Sequence, residues 1–171
     1  MSVRPIIKSD SPTLRMRSKE VKEITPALQR LLDDMLETMR AEPGVGLAAP
    51  QLGVLQRAIV VELPREEEEP LSGCPIFLIN PAIVEANGEE ERAEGCLSVP
   101  GYMGDVVRAT QVTVEGLNRR GRPVRFKAQG FLARVLQHEI DHLDGMLFLD
   151  RLTSLAKLRK LPPEDGGWEY A

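Results

Sequence analysis

An α+β fold is the expectation for this chain, with antiparallel β-sheets packed around a central α-helix, a second helix near the N-terminus and a short helix near the C-terminus. Two stretches, "TPALQRLLDDMLETMRAEPG" and "FLARVLQHEIDHL", carry the apolar period of an amphipathic helix. Between them lie β-branched and alternating runs punctuated by turn residues. The order is therefore helix, several antiparallel strands, helix. At 171 residues the chain reads as a single domain, 1–171, long enough for a sizeable core.

Met1 and the residues up to Val21 are mixed and polar, with Pro5 and Pro12, and read as an irregular arm. The first helix opens on Thr25, a good N-cap, with Pro26 at its first position. Leu28, Leu31, Leu32, Met35, Leu36 and Met39 form its apolar face, and Pro43 and Gly44 end it. "GVGLAAPQLGV" reads as a loop, "RAIVVEL" as a buried strand, and "REEEEP" as an exposed, solvated loop. "IFLIN" before Pro81 is a further strand, and "AIVEANG" another. "DVVRATQVTVEGLNRRGRPVRFKAQG" alternates around the turn "NRRG" as a β-hairpin does. The second helix spans 131–143, with Leu132, Val135, Leu136 and Leu143 on its apolar side and Gly145 just past its end. "SLAKLRKL" reads as a short basic helix before Pro162 and Pro163, and residues 162–171 as a mobile tail.

Composition narrows the function classes. The chain is 42% hydrophobic and 28% charged, an ordinary soluble balance, and its net charge of −4 argues against a broad DNA-binding surface. No apolar run approaches the roughly 20 residues of a membrane span. The N-terminus lacks the apolar core of a secretory signal. Two cysteines, Cys74 and Cys96, make no disulfide framework in a chain this long, so a reducing, cytoplasmic setting is expected.

Both histidines of the chain, His138 and His142, stand four residues apart in "QHEIDH". On a helix they share a face and can point two imidazoles at one ion, while Glu139 beside them reaches a water held by that ion as general base. A surface helix that happens to carry two histidines is the plainer alternative. The apolar flanks favour a buried helix, in which two imidazoles and a carboxylate need partners. A third ligand is missing from the helix itself. The metzincin completion fails at Phe148, and the only later glutamates, Glu164 and Glu169, fall in the expected tail. With no other histidine available, the thiolate of Cys96 in "EGCLSVPG" is the candidate. Gly44 and Gly46 would let backbone approach a ligand closely, although an ordinary tight turn accounts for them equally well.

Three segments, "GVGLAAPQ" at 44–51, "EGCLS" at 94–98 and "QHEIDH" at 137–142, together resemble the signature motifs of the bacterial-type peptide deformylases, in the family's order. The resemblance covers about 6–161. It implies a metal-dependent hydrolase that removes the formyl group from the N-terminal formyl-methionine of nascent polypeptides and releases formate. It implies that Cys96, His138 and His142 bind the metal, and that Glu139 activates the metal-bound water that attacks the formyl carbon. Gln51, through its side-chain amide, and the backbone N–H of Leu97 would stabilise the oxyanion. Val45 and Gly46 would hold the substrate's peptide groups, and Glu94 with Arg108 would form a supporting ion pair. The metal implied is Fe2+, one ion per chain, with Zn2+, Ni2+ or Co2+ able to replace it.

Three positions depart from the family pattern. Met103 stands where many bacterial deformylases carry an arginine that holds the substrate's backbone. Arg134 falls where an apolar residue is usual, and Phe131 is bulkier than the usual leucine, so these residues bear on the pocket for the methionine side chain. The role of Asp141 is open between orienting a ligand and facing outward. A nascent-chain substrate implies a ribosome contact, for which Lys157, Arg159 and Lys160 are the candidates beside the plainer reading of a solvated face. The expected state is a monomer with no membrane association.

Overall fold

The structure, a computed structural model, describes residues 2–65 and 71–161. Most of the acidic run and all of the expected tail lie outside the described residues.

Helix α1 is Pro26–Ala41, and the Thr25 hydroxyl caps it by accepting the Leu28 N–H at 3.1 Å. Among the described residues eight strands follow in two sheets: β1 (Gly46–Ala48), β2 (Ala58–Val61), β3 (Ile76–Asn87), β4 (Glu90–Cys96), β5 (Val99–Arg108), β6 (Gln111–Leu117), β7 (Pro123–Gln129) and β8 (Leu158–Lys160). Helix α2, Gly130–Leu143, lies between β7 and β8 in sequence. The larger sheet runs β1-β2-β3-β6-β7 and the smaller β4-β5-β8, with antiparallel pairing throughout.

Strand β2 shows why the layers stack as they do. Its four residues are all buried, and the strand period sends them alternately to two faces. Ala58 and Val60 join Leu28, Leu31, Leu32, Met35 and Met39 of α1. Ile59 and Val61 join Leu132, Val135, Leu136 and Leu143 of α2. The five-stranded sheet is thus covered by α1 on one face and α2 on the other, and α2 becomes the central helix. A third, smaller cluster of Cys96, Val99, Val106 and Phe148 underlies the three-stranded sheet.

Four expectations need correction. The short basic helix does not form. Leu155–Lys157 makes a single 3-10 turn and Leu158–Lys160 pairs with Tyr102, Met103 and Gly104 of β5. A stretch so short gains little from helix propagation, whereas the edge of β5 offers main-chain partners and the third cluster offers Leu158 a place to pack. Residues 46–48 are strand rather than loop, followed by a 3-10 turn at Ala49–Leu52. The two strands around Pro81 are one strand with an irregularity. The pairing with β6 shifts between Ile79 and Ala82, Asn80 takes φ +52°, and its side chain bonds both the N–H and the carbonyl of Val21 at 2.8 Å. Finally, the hairpin around 118–121 joins β6 to β7 alone, while Asp105, Val106, Val107 and Arg108 belong to β5 in the other sheet.

Candidate metal centre

Helix α2 presents His138 and His142 to the turn between β4 and β5, where Cys96 closes β4. Cys96 Sγ lies 3.4 Å from His142 Nε2, and the two Nε2 atoms are 3.2 Å apart. All three side chains are buried, and their ligand atoms lie within 4.8 Å of one another. A tetrahedral ion bound at about 2.3 Å from sulfur and about 2.05 Å from nitrogen spaces its ligand atoms about 3.3–3.6 Å apart. The two sides that meet at His142, 3.4 and 3.2 Å, are close to that spacing.

The two imidazoles are supported differently. His138 Nδ1 pairs with Glu94 Oε1 at 2.9 Å, which turns its Nε2 toward the triangle. Glu94 is itself clasped by the Arg108 fork, with Nε and Nη2 each at 2.8 Å, and by Arg134 Nη1 at 2.6 Å. Arg108 continues to Asp141 at 2.6 Å, and Arg151 closes on both oxygens of Asp141 at 2.6 and 2.8 Å. His142 Nδ1 has no hydrogen-bond partner among the described residues. The ring of Phe148 lies nearly parallel to that of His138, 6.4 Å away. Where a metzincin would place a third histidine, this chain packs an aromatic ring beside the first one.

Charge follows geometry. Burial alone would raise the Glu94 carboxyl, but Arg108 and His138 hold it well below the usual carboxylate range. Burial disfavours the charged form of His138, yet Cys96 and Glu94 hold its pKa well above the ordinary value. His142 is pushed down by burial and by the charge on His138. One buried cysteine sulfur and two buried imidazoles are donors that suit a divalent ion.

Glu139 is fully buried, and neither of its carboxylate oxygens has a partner among the described residues. Burial pushes its pKa up to about 7. The carboxylate lies directly over Gly46, where a Cβ would meet Oε2 at 2.5 Å. Gln51 is buried and locked in one orientation. Its Oε1 accepts the Ala48 N–H at 3.0 Å, while Nε2 donates to Ser98 Oγ at 3.0 Å and lies 3.7 Å from Cys96 Sγ. Leu97, next to Cys96, buries its side chain against α1, and its carbonyl accepts from Lys8 Nζ at 3.3 Å. The Val45 carbonyl accepts from Glu62 N–H at 2.9 Å, and β1 is the outer strand of its sheet.

The structure thus gathers Cys96, His138, His142, Glu139, Gln51, Gly46, Glu94 and Arg108 in one buried region. Arg134 donates to Glu94, to the Val106 carbonyl at 3.0 Å and to the Glu90 carbonyl at 2.7 Å, so it joins the ion-pair network. Phe131 packs at the margin of the α2 cluster, and Met103 stands on β5 opposite Gly95. Sequence reasoning missed Ser98 and Arg151 and left Asp141 undecided. Arg134, His138 and Asp141 fall at i, i+4 and i+7, one stripe of a helix, which is the signal that links two of them. Nothing in the sequence points to Arg151.

A buried cluster of one cysteine sulfur and two imidazoles, with an orphaned buried carboxylate beside it, is the donor set of a metal-dependent hydrolase. The sequence model of the polypeptide deformylase family matches residues 3–158. The chain is 48% identical to a peptide deformylase of Thermomicrobium roseum over 96% of this chain and 94% of that one. It is 52% identical to a peptide deformylase of Halothermothrix orenii, over 92% and 98% respectively. Among solved structures it matches the peptide deformylase of Ehrlichia chaffeensis in complex with actinonin, with TM-score 0.86, 44% identity and 92% of each chain covered. The Legionella pneumophila peptide deformylase gives TM-score 0.83 at 44% identity, over 91% of this chain and 89% of that one. The chain belongs to the polypeptide deformylase family. Its reaction is the hydrolytic removal of the N-formyl group from nascent polypeptides.

Proposed function

We propose that Glu139 is the general base and then the acid of this reaction, working beside an Fe2+ ion held by Cys96, His138 and His142. Zn2+, Ni2+ or Co2+ can take the place of iron. Held by those three residues, a divalent ion would supply Lewis acidity, enough to bring the pKa of a water from about 15.7 toward about 7. Glu139 accepts the proton of the attacking water and returns it to the departing amine nitrogen, so that water and formamide become formate and a free amino terminus. Its carboxyl, raised to about 7 by burial, is matched to both halves of that task. Gln51 Nε2 and the Leu97 N–H donate to the oxygen on which negative charge develops, and one such donor is worth about 3 kcal/mol in other hydrolases. The substrate adds as a strand along β1, with the main chain of Val45 and Gly46 holding its peptide groups.

The observation that carries this reading is the pair of unpartnered Glu139 oxygens, buried beside the ligand triangle. The reading is tested with reduced, Fe2+- or Ni2+-loaded protein and formyl-Met-Ala-Ser. Formate release is expected, and its absence sinks the reading. Glu139→Ala should retain metal and lose turnover.

The chain acts as a single catalytic domain, as a monomer in the cytoplasm. No helix among the described residues is long and apolar enough to cross a membrane. A ribosome contact through Lys157, Arg159 and Lys160 belongs to the same proposal. Lys157 pairs with Glu91 at 2.5 Å and Arg159 with Asp105 at 3.0 Å, so binding would compete with these pairs. Sedimentation with ribosomes at modest salt measures it.

A further inference from the structure

The three ligands come from two separate parts of the fold. His138 and His142 ride on α2, while Cys96 ends β4. The apolar cluster of α2 belongs to the five-stranded sheet, and the cluster around Cys96 contains no α2 residue. Between α2 and the β4–β5 pair, the contacts with fixed distance and direction are therefore polar.

Arg134 makes the broadest of them. It sits one turn before His138 on α2, with its side chain 6% exposed. Nη1 donates to Glu94 Oε2 at 2.6 Å and to the Val106 carbonyl at 3.0 Å, and Nη2 donates to the Glu90 carbonyl at 2.7 Å. One guanidinium thus binds the first residue of β4, a side chain near its end, and the main chain of β5. Only a planar fork with several fixed donors reaches three acceptors in this way, and an ammonium on a flexible stem does not. Arg108 occupies both oxygens of Glu94, Arg134 adds to Oε2, and Oε1 is left to meet His138 Nδ1. Glu94 is fixed in position and in rotation.

We propose that Arg134 is a positioning residue for the metal centre. By binding Glu94 and the main chain of both strands, it sets the distance between Cys96 and the histidine pair. The inference rests on the ligand set Cys96, His138 and His142. A site needs its ligands held to within roughly 0.5 Å, and losing an outer partner of a ligand typically lowers metal affinity about 10- to 100-fold.

The test uses full-length protein loaded with Co2+, comparing wild type, Arg134→Met, Arg134→Lys and Leu132→Ala. Three quantities are read: the visible cobalt spectrum, the rate of metal loss to a chelator, and kcat and KM on formyl-Met-Ala-Ser. Arg134→Met is expected to shift the cobalt bands, to speed metal loss about 10- to 100-fold and to lower kcat with KM little changed. Arg134→Lys keeps the charge near Glu94 but loses the backbone contacts, so it should fall between wild type and Arg134→Met, and it decides the matter if Arg134→Met does not fold. Leu132→Ala loses stability on the other side of the helix and should keep the wild-type spectrum. A wild-type spectrum without a thiolate-to-cobalt band would sink the ligand set itself. A normal wild-type spectrum shared by the Arg134 variants, with unchanged metal loss, would sink only the role of Arg134, whatever their melting temperatures.

Discussion

Along one flank of α2, Leu132, Val135, Leu136 and Leu143 pack against Ile59, Val61 and Leu78 of the five-stranded sheet. Along the other, Arg134, His138 and Asp141 meet Glu94 and Arg108 of the three-stranded sheet. The apolar flank is non-directional, so it stabilises the helix while tolerating small shifts. On the polar flank each contact has a required distance and angle, so the same shift leaves a buried charge unmatched. The metal ligands stand on the directional side. Glu139, which is not a ligand, instead occupies at helical spacing a place in the apolar row, between Leu136 and Leu143. Its lack of partners and its raised pKa follow from that position.

The sharpest way to separate the two flanks is to exchange this carboxylate. Glu139→Gln should lower kcat by about 10²- to 10⁴-fold while the protein retains its metal, as measured by formate release and metal content. Glu139→Leu should lose activity equally and melt at a higher temperature, because it completes the apolar row. A variant that melts lower would show that the row does not extend through this position.

On the polar flank, Glu94→Gln leaves Arg134 buried without a counter-charge and Arg108 with Asp141 alone, at a cost of about 3–5 kcal/mol. The folded-state pKa of Glu94 is depressed, so its stabilisation is fully present above the unfolded value of about 4.3 and is lost as pH falls through the folded value. The stability gap between wild type and variant should be full at pH 7 and close on acidification. Urea titrations of both proteins across that range measure it. Leu136→Ala on the apolar flank should cost a comparable 2–5 kcal/mol or so yet leave metal affinity unchanged. Chelator competition tells the two apart.

These flanks also differ in how far the sequence reveals them. The apolar row and the two histidines are local patterns, so period and spacing suffice to place them. Cys96 is reached by eliminating other ligands, and the places of Gln51, Leu97 and Glu94 come from resemblance. For Arg134 the sequence shows only the helical stripe it shares with His138 and Asp141, not the partner it meets. A charged residue on a helix ordinarily reads as facing solvent, and its partner Glu94 lies 40 residues away on another sheet. Strands β1 and β8 are hidden for a similar reason. Each is three residues long, and each owes its form to the edge it pairs with, Val61, Val60 and Ile59 for β1 and Gly104, Met103 and Tyr102 for β8.

Gly46→Ala probes the contact between β1 and the one carboxylate in the apolar row, and it carries the smallest expected effect. The methyl group would need the space now held by Glu139 Oε2, which a Cβ would meet at 2.5 Å. The obstacle is the end of a side chain rather than main chain, so the fold yields easily and the melting temperature should barely move. Glu139 must swing away instead, and a displacement of about 1 Å at a reacting group costs up to about 100-fold in rate. A fall in kcat without a fall in stability is the expected result. If kcat holds and KM alone rises, Gly46 serves only to admit the substrate's main chain, and the position of Glu139 owes nothing to it.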